Sequence, residues 1–194
     1  MNEGYAMKNS SNDSLTIMLD EKEKGVSLGK GEVFDTIYYP DGRIEKREKS
    51  FNVIVKSLSR LLAAFIKAET GYLGGNLFWA MGTGQTSWDT TTYTAVDTAE
   101  RLTNEVFRKA IPLGNRYFVD ANFQRTNTIT NRLQIDIILD ENEANGFILR
   151  EFGIFGGNAT TVANSGILIN HKVHSRIDKV SGMRIERSIR FTFN

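Results

Sequence analysis

The chain's two histidines stand close together as His171-x-x-His174, with Asp178 four residues further on. Two imidazoles and a carboxylate could hold a metal ion. On a strand, however, residues three apart point to opposite faces. Both rings therefore converge only if the segment bends, or if one histidine from each of several subunits meets on a symmetry axis. Asp136, Asp140, Glu141 and Glu143 gather carboxylates near an expected hairpin tip. They lack EF-hand spacing and a second group to pair with for glycoside chemistry, so a solvated turn is the expectation. Gly82-Thr83-Gly84-Gln85-Thr86-Ser87 could offer backbone amides to a phosphate, but it lacks the lysine and the immediate helix of a phosphate loop. It reads as a tight turn at which backbones pack closely. No serine lies in a G-x-S-x-G elbow, and the chain has no cysteine, which removes thiol nucleophiles, disulfides and thiolate metal sites together. These residues give no ground for expecting an enzyme, a metal or a cofactor.

Glu105, Arg108 and Glu151 point to a structural role. On a helix, Glu105 and Arg108, three apart, share one face. Glu151 interrupts the apolar run from Phe147 to Phe155, where a bare buried charge is costly. The expectation is a structural ion pair in which Arg108 reaches Glu151 and locks a helix onto a sheet. Among the aromatics, Trp79, Trp88, Tyr93 and Tyr117 could form a sugar-stacking platform. Trp88, in a polar loop, is the candidate glycan contact; the competing use of these rings is in the core or a subunit interface.

The elements that must position these residues follow from patterning. Met1 to about Gly31 is polar, with one small apolar patch at Leu15, Ile17, Met18 and Leu19, and reads as an N-terminal arm, either lying along a neighbouring subunit or frayed. Residues 32–194 are expected to form a single domain. Pro40-Asp41-Gly42 between two β-rich runs predicts a hairpin whose second strand, charged on both faces, suits an exposed edge. A helix is expected near 52–70, from Ile54, Leu58, Leu61, Leu62, Phe65 and Ile66 at helical spacing, with Gly71 as its C-terminal cap. Leu77 to Met81 reads as a buried strand. A second helix is expected near 97–110, opened by Asp97 and Glu100 and carrying an inner stripe of Ala99, Leu102, Val106 and Ala110. Beyond Pro112 the period changes to two: Tyr117 to Phe123, Leu133 to Leu139 and Met183 to Phe193 alternate, the last with Arg187 as the one polar residue on its inward face. Phe147 to Phe155 and Ile167 to Val173 add two more strands, giving about eight. The expected fold is mainly β, an antiparallel β-sandwich with two packed helices and a flexible arm.

Composition narrows the class. With 24 basic and 23 acidic residues in 194, the net charge is +1, which gives no strong attraction to nucleic acid or acidic membrane. The longest apolar run, Leu61 to Ile66, falls far short of the roughly 20 residues that span a bilayer. Met1 to Asp20 lacks the apolar core of a secretory signal, so any extracellular role is expected to be reached without classical secretion.

The order of several segments carries a resemblance. Asn52-Val53-Ile54-Val55 opens the first expected helix. Leu77-Phe78-Trp79-Ala80-Met81-Gly82-Thr83-Gly84 is an apolar strand ending in G-T-G. Leu102-Thr103-Asn104-Glu105-Val106-Phe107-Arg108-Lys109 has the form L-x-x-E-x-x-R, and Arg150-Glu151-Phe152-Gly153-Ile154-Phe155 follows. In this order they resemble the virion-proximal attachment domains of bacteriophage tail and tail-fibre proteins, over about Asn52 to Phe193. The resemblance implies a structural component of the virion tail, made in the host cytoplasm, at the baseplate or fibre attachment point. A neck, collar or head-decoration role is the alternative within that class, and a glycan-binding module the alternative outside it. It implies assembly as a trimer or hexamer with other tail, baseplate or neck proteins, no cofactor, no nucleic-acid partner and no membrane insertion. Because the sequence ends soon after a strand, without a fibre shaft, the expectation is an adaptor. Removing Met1 to Gly31 is expected to leave a folded domain and weaken assembly.

Overall fold

In the computed structural model, which describes residues 28–72 and 75–194, the Pro40-Asp41-Gly42 turn closes a hairpin between β1 (Gly29–Tyr38) and β2 (Ile44–Ile54). Gly42 takes a φ of +85°, Tyr39 and Arg43 close the loop with a 2.9 Å backbone hydrogen bond, and the Arg43 amide donates to Asp41 Oδ1 at 3.0 Å. The arm expected from Met1 to Gly31 lies outside the described residues up to position 27. Its last residues belong to β1, which begins at Gly29.

One helix follows, α1 (Leu58–Ile66). It is shorter at both ends than expected. Phe51 to Ile54 belong to β2, because Val53 and Ile54 pair with the strand carrying Asn170 and His171. The helix stops before Gly71: Ala68 takes the left-handed conformation, φ +56°, and the Glu69 amide returns to the Ala64 carbonyl at 2.9 Å.

The remaining strands are β3 (Phe78–Gly82), β4 (Glu105–Ala110), β5 (Arg116–Val119), β6 (Arg125–Thr126), β7 (Arg132–Leu139), β8 (Ile148–Gly156), β9 (Ile167–Asp178) and β10 (Arg184–Phe193). They form one ten-stranded antiparallel sheet in the order β4-β3-β8-β9-β2-β1-β10-β7-β5-β6. The second helix expected near 97–110 is absent: Glu105–Ala110 is β4, paired with β3. Asp97 and Glu100, instead of opening a helix, pair with Lys56 just before α1 and with Arg60 on it. The strand count exceeds the expected eight through β4 and the two-residue β6. Nor is β2 simply an edge: it sits between β1 and β9, although its ladder with β9 is only two residue pairs long.

The sheet bends back on itself. Arg187 of β10 lies 4.0 Å from the ring centre of Phe152 on β8, and three strands separate β8 from β10 in the sheet order. Val33, Ile37, Trp79, Met81, Ile135, Phe152, Ile154, Ile185 and Ile189 consequently share one core. Along β10 the alternation expected from the sequence places Ile185, Arg187, Ile189 and Phe191 inside.

Candidate functional site

Three of the four segments that carry the resemblance converge on one end of the sheet, where β3, β4 and β8 lie side by side. Gly82 faces Glu151 in the β3–β8 ladder. The Glu151 side chain is fully buried, and it accepts hydrogen bonds from the amides of Thr103 at 3.1 Å and Asn104 at 3.0 Å, while Oε2 lies 2.9 Å from His171 Nε2. Burial by itself would raise the carboxyl's pKa. The His171 ring and the two amides outweigh that and hold it below the ordinary range. A Cβ at position 82 would sit 2.5 Å from Glu151 Oε1 and 2.8 Å from the Asn104 carbonyl, so glycine there leaves the room that the carboxylate occupies.

Thr83 links the same pieces. Its amide donates to the Asn104 carbonyl at 2.9 Å, its hydroxyl accepts from Asn104 Nδ2 at 2.6 Å, and its carbonyl accepts from Arg150 Nη1 at 3.1 Å. Arg150 also grips Asp89 with two hydrogen bonds, 2.7 and 2.6 Å, pinning the short 3-10 turn Thr86–Asp89 against β8. The Arg150 hydrogen bond is the main reason the Asp89 carboxyl is held below its ordinary pKa. Gly84 lets the chain pass under Trp88, whose ring would lie 2.2 Å from a Cβ there. The G-T-G turn thus serves packing and loop anchoring.

Arg108 does not reach Glu151. It binds Glu105 through Nε at 2.5 Å and Nη2 at 2.9 Å, and turns Nη1 to the Thr160 carbonyl and the Ser165 hydroxyl at 2.8 and 2.9 Å. Glu105 in turn accepts from the Asn164 amide at 2.8 Å, and the pair is almost wholly buried. Residues three apart on a strand should face opposite ways. Here the register slips between Met81 and Gly82: Met81 pairs with Phe107 and Gly82 with Glu105, so Val106 is the extra residue of a bulge that returns Glu105 and Arg108 to one face. The expected lock between helix and sheet is therefore two separate devices. Glu105–Arg108 fastens the 160–165 loop, and Glu151 fastens the 103–104 loop.

The other candidates disperse. His171 is engaged by Glu151, His174 Nδ1 donates to the Ser175 carbonyl at 2.9 Å, and Asp178 pairs with Arg176. Among the described residues no group of three His, Cys, Asp or Glu could hold a metal ion. Asp136 accepts from Tyr117, Gln134 and Ser188, while Glu143 binds Lys109, so the carboxylates do not converge. The Asp136 contact and burial push the Tyr117 phenol up to about 12, burial being the larger cause. Trp79 is core, and Trp88, half-buried, stacks face to face on Tyr93 at 4.4 Å, so one face of its ring is covered by Tyr93.

Sequence reasoning missed Asp35, which holds Arg187 through two 2.7 Å hydrogen bonds inside the core. The signal was present, because Val33, Asp35 and Ile37 alternate onto one face opposite the inward Arg187. The anchors Asn164 and Ser165, in an irregular loop, and Asp89, at the end of a short 3-10 turn, carry no comparable pattern. No protein-family model, curated protein or solved structure matches the chain.

Proposed function

We propose that this chain is a structural virion protein of a tailed phage, a baseplate or tail-fibre attachment adaptor that acts by oligomeric assembly and not by catalysis. In this reading the folded-over sheet is a two-layer β-sandwich serving as a rigid block, with neck, collar or head decoration as the alternative placements. The observation that carries the proposal is the apolar surface of α1. Leu62, Phe65 and Ile66 are 51, 63 and 76% exposed, and the helix buries none of its residues. Beside it runs an apolar groove of about 470 Å³, lined by Leu28, Leu58, Leu61, Phe65, Leu77 and Phe193. A contiguous apolar face of this kind marks a contact surface. Leu28, the first described residue, lines this groove, which fits an arm that crosses to a neighbouring copy. The interlocked G-T-G, E-x-x-R and R-E-F-G segments add support: their conjunction is a physical unit that fixes loops.

Analytical ultracentrifugation of the full chain tests this, with three or six copies expected. Phe65→Glu and removal of residues 1–27 are each expected to shift the population toward monomer while the domain stays folded. A chain that remains monomeric at high concentration and is absent from purified particles by electron microscopy overturns the reading.

A further inference from the structure

The groove beside α1 has a fixed floor and an open side. Leu58, Leu61, Leu77 and Phe193 line it and also pack against the main core, so the floor belongs to the folded block. Leu62 and Phe65 line it too and are more than half exposed, with Ile66 beside them on the helix. No charged side chain is among the lining residues. Such a surface favours an uncharged, apolar occupant and makes a charged one costly.

The chain carries a segment of that kind close by. Leu28 lines the groove where the chain enters β1, and the Asn194 amide donates to its carbonyl at 3.3 Å. Upstream, the sequence falls into two unlike parts. Asp20-Glu21-Lys22-Glu23-Lys24 is an unbroken run of charge, joined to Leu28 by Gly25-Val26-Ser27. Before it stands Leu15-Thr16-Ile17-Met18-Leu19, the longest mostly apolar stretch that precedes Leu28. In an extended chain Leu15, Ile17 and Leu19, spaced two apart, face one way. The stretch from Leu19 to Leu28 can reach roughly 30 Å.

We propose that the groove beside α1 receives the Leu15-Thr16-Ile17-Met18-Leu19 segment of a neighbouring copy. This contact rests on the assembly reading above and names the surfaces through which the copies join. The charged run decides between a neighbour's groove and the chain's own. To enter its own groove, the chain would have to reverse within residues 20–27 and lay the charged run beside a lining that has no charge to pair with it. Crossing to another copy leaves that run in solvent, as a spacer between blocks. Each copy then offers a groove to one neighbour and a segment to the other. Head-to-tail contacts of this type close into a ring when the rotation between copies allows it.

Because the chain has no cysteine, disulfide trapping in the full chain reads the contact directly. Ile17→Cys and Leu62→Cys copies, distinguished by mass tags, are co-expressed and oxidised, and the products are identified by mass spectrometry. A disulfide between the two kinds of copy is expected, roughly tenfold more abundant than one between Asn9→Cys and Leu62→Cys copies. When both cysteines are placed in one chain, the bond is still expected to join different chains. Ile17→Asp is expected to weaken assembly at sedimentation equilibrium by about tenfold or more, the cost of a charge in an apolar groove. Met7→Asp is expected to leave assembly unchanged. An unmodified chain that stays monomeric overturns the assembly reading itself. Three results overturn this contact alone in a chain that does assemble: unchanged assembly of Ile17→Asp, a bond from position 17 to position 62 within one chain, or Leu62→Cys copies that link mainly to each other, which would put a second copy's α1 in the groove.

Discussion

Gly82 and Glu151 face each other across the β3–β8 ladder, and the side chain that one lacks is the space the other's carboxylate fills. From that space the carboxylate gathers the amides of Thr103 and Asn104. A turn glycine and a buried acid, nearly seventy residues apart in the chain, are therefore one device.

Gly82→Ala should break it. The added methyl would meet both the carboxylate and the Asn104 carbonyl closer than van der Waals contact allows, and the backbone partner has no rotamer to escape into. A loss of about 1–3 kcal/mol is expected. Urea unfolding measures it, and faster amide exchange at Thr103 and Asn104 should accompany it. Unchanged stability would mean that the carboxylate is not held where it is described.

Glu151→Gln tests the charge on the same group. A carboxyl whose folded pKa lies below its ordinary 4.5 stabilises the fold at pH above that value, and the contribution disappears as pH falls through the lower folded value. Near neutrality the glutamine variant should be less stable by about 1.5–3 kcal/mol, because an amide nitrogen replaces an oxygen that faces donors. As pH falls from 4.5 through the lower folded value the wild-type side chain also becomes neutral, and the two unfolding midpoints should draw together. A gap that stays constant across this range would exclude ionised Glu151 as its source.

Patterning made much of this legible where one strand face meets water and the other meets the core. Leu133 to Leu139 and Met183 to Phe193 alternate for that reason, and the Pro40-Asp41-Gly42 turn announces its own geometry. Residues 97–110 misled because Ala99, Leu102, Val106 and Ala110 fit a helical stripe equally well. What decides against the helix is remote: β3 offers a free ladder to Glu105–Ala110, and Glu151 takes up the amides of the loop before it. Leu102 is buried all the same, from a loop, with its amide donating to Asn164 Oδ1. Backbone donors such as these carry no side-chain signature, and neither does the bulge at Val106 that lets Glu105 meet Arg108.

Asp35 and Arg187 form the ion pair best suited to a double-mutant cycle. Both side chains are buried, and Arg187 also lies over Phe152 and Trp79. Asp35→Ala strands a guanidinium in the core and should cost about 3–5 kcal/mol. Arg187→Met retains much of the packing but strands the carboxylate. The double variant is expected to lose less than the sum of the two by more than ~1 kcal/mol. Additive losses would show that the two groups are stabilised by their surroundings and not by each other.

Ala68→Gly should stabilise the protein, because of how α1 ends. The Lys67 amide still bonds to Ala63, but Ala68 turns to φ +56° so that Glu69 can reach back to Ala64. That conformation costs a side-chain-bearing residue about 1–2 kcal/mol through the clash of its Cβ with the carbonyl that follows. Glycine escapes the clash and gives back part of the gain through the greater freedom of its unfolded chain, roughly 0.5–1 kcal/mol. Ala68 is exposed, so its methyl contributes little packing. The balance favours glycine by about 0.5–1 kcal/mol, readable as a raised thermal midpoint. Phe65 and Ile66 sit in the turn this cap secures and keep their exposure, so the assembly state measured by ultracentrifugation should not change. A lowered midpoint would place the end of α1 elsewhere, and with it the orientation of the apolar face on which the assembly proposal rests.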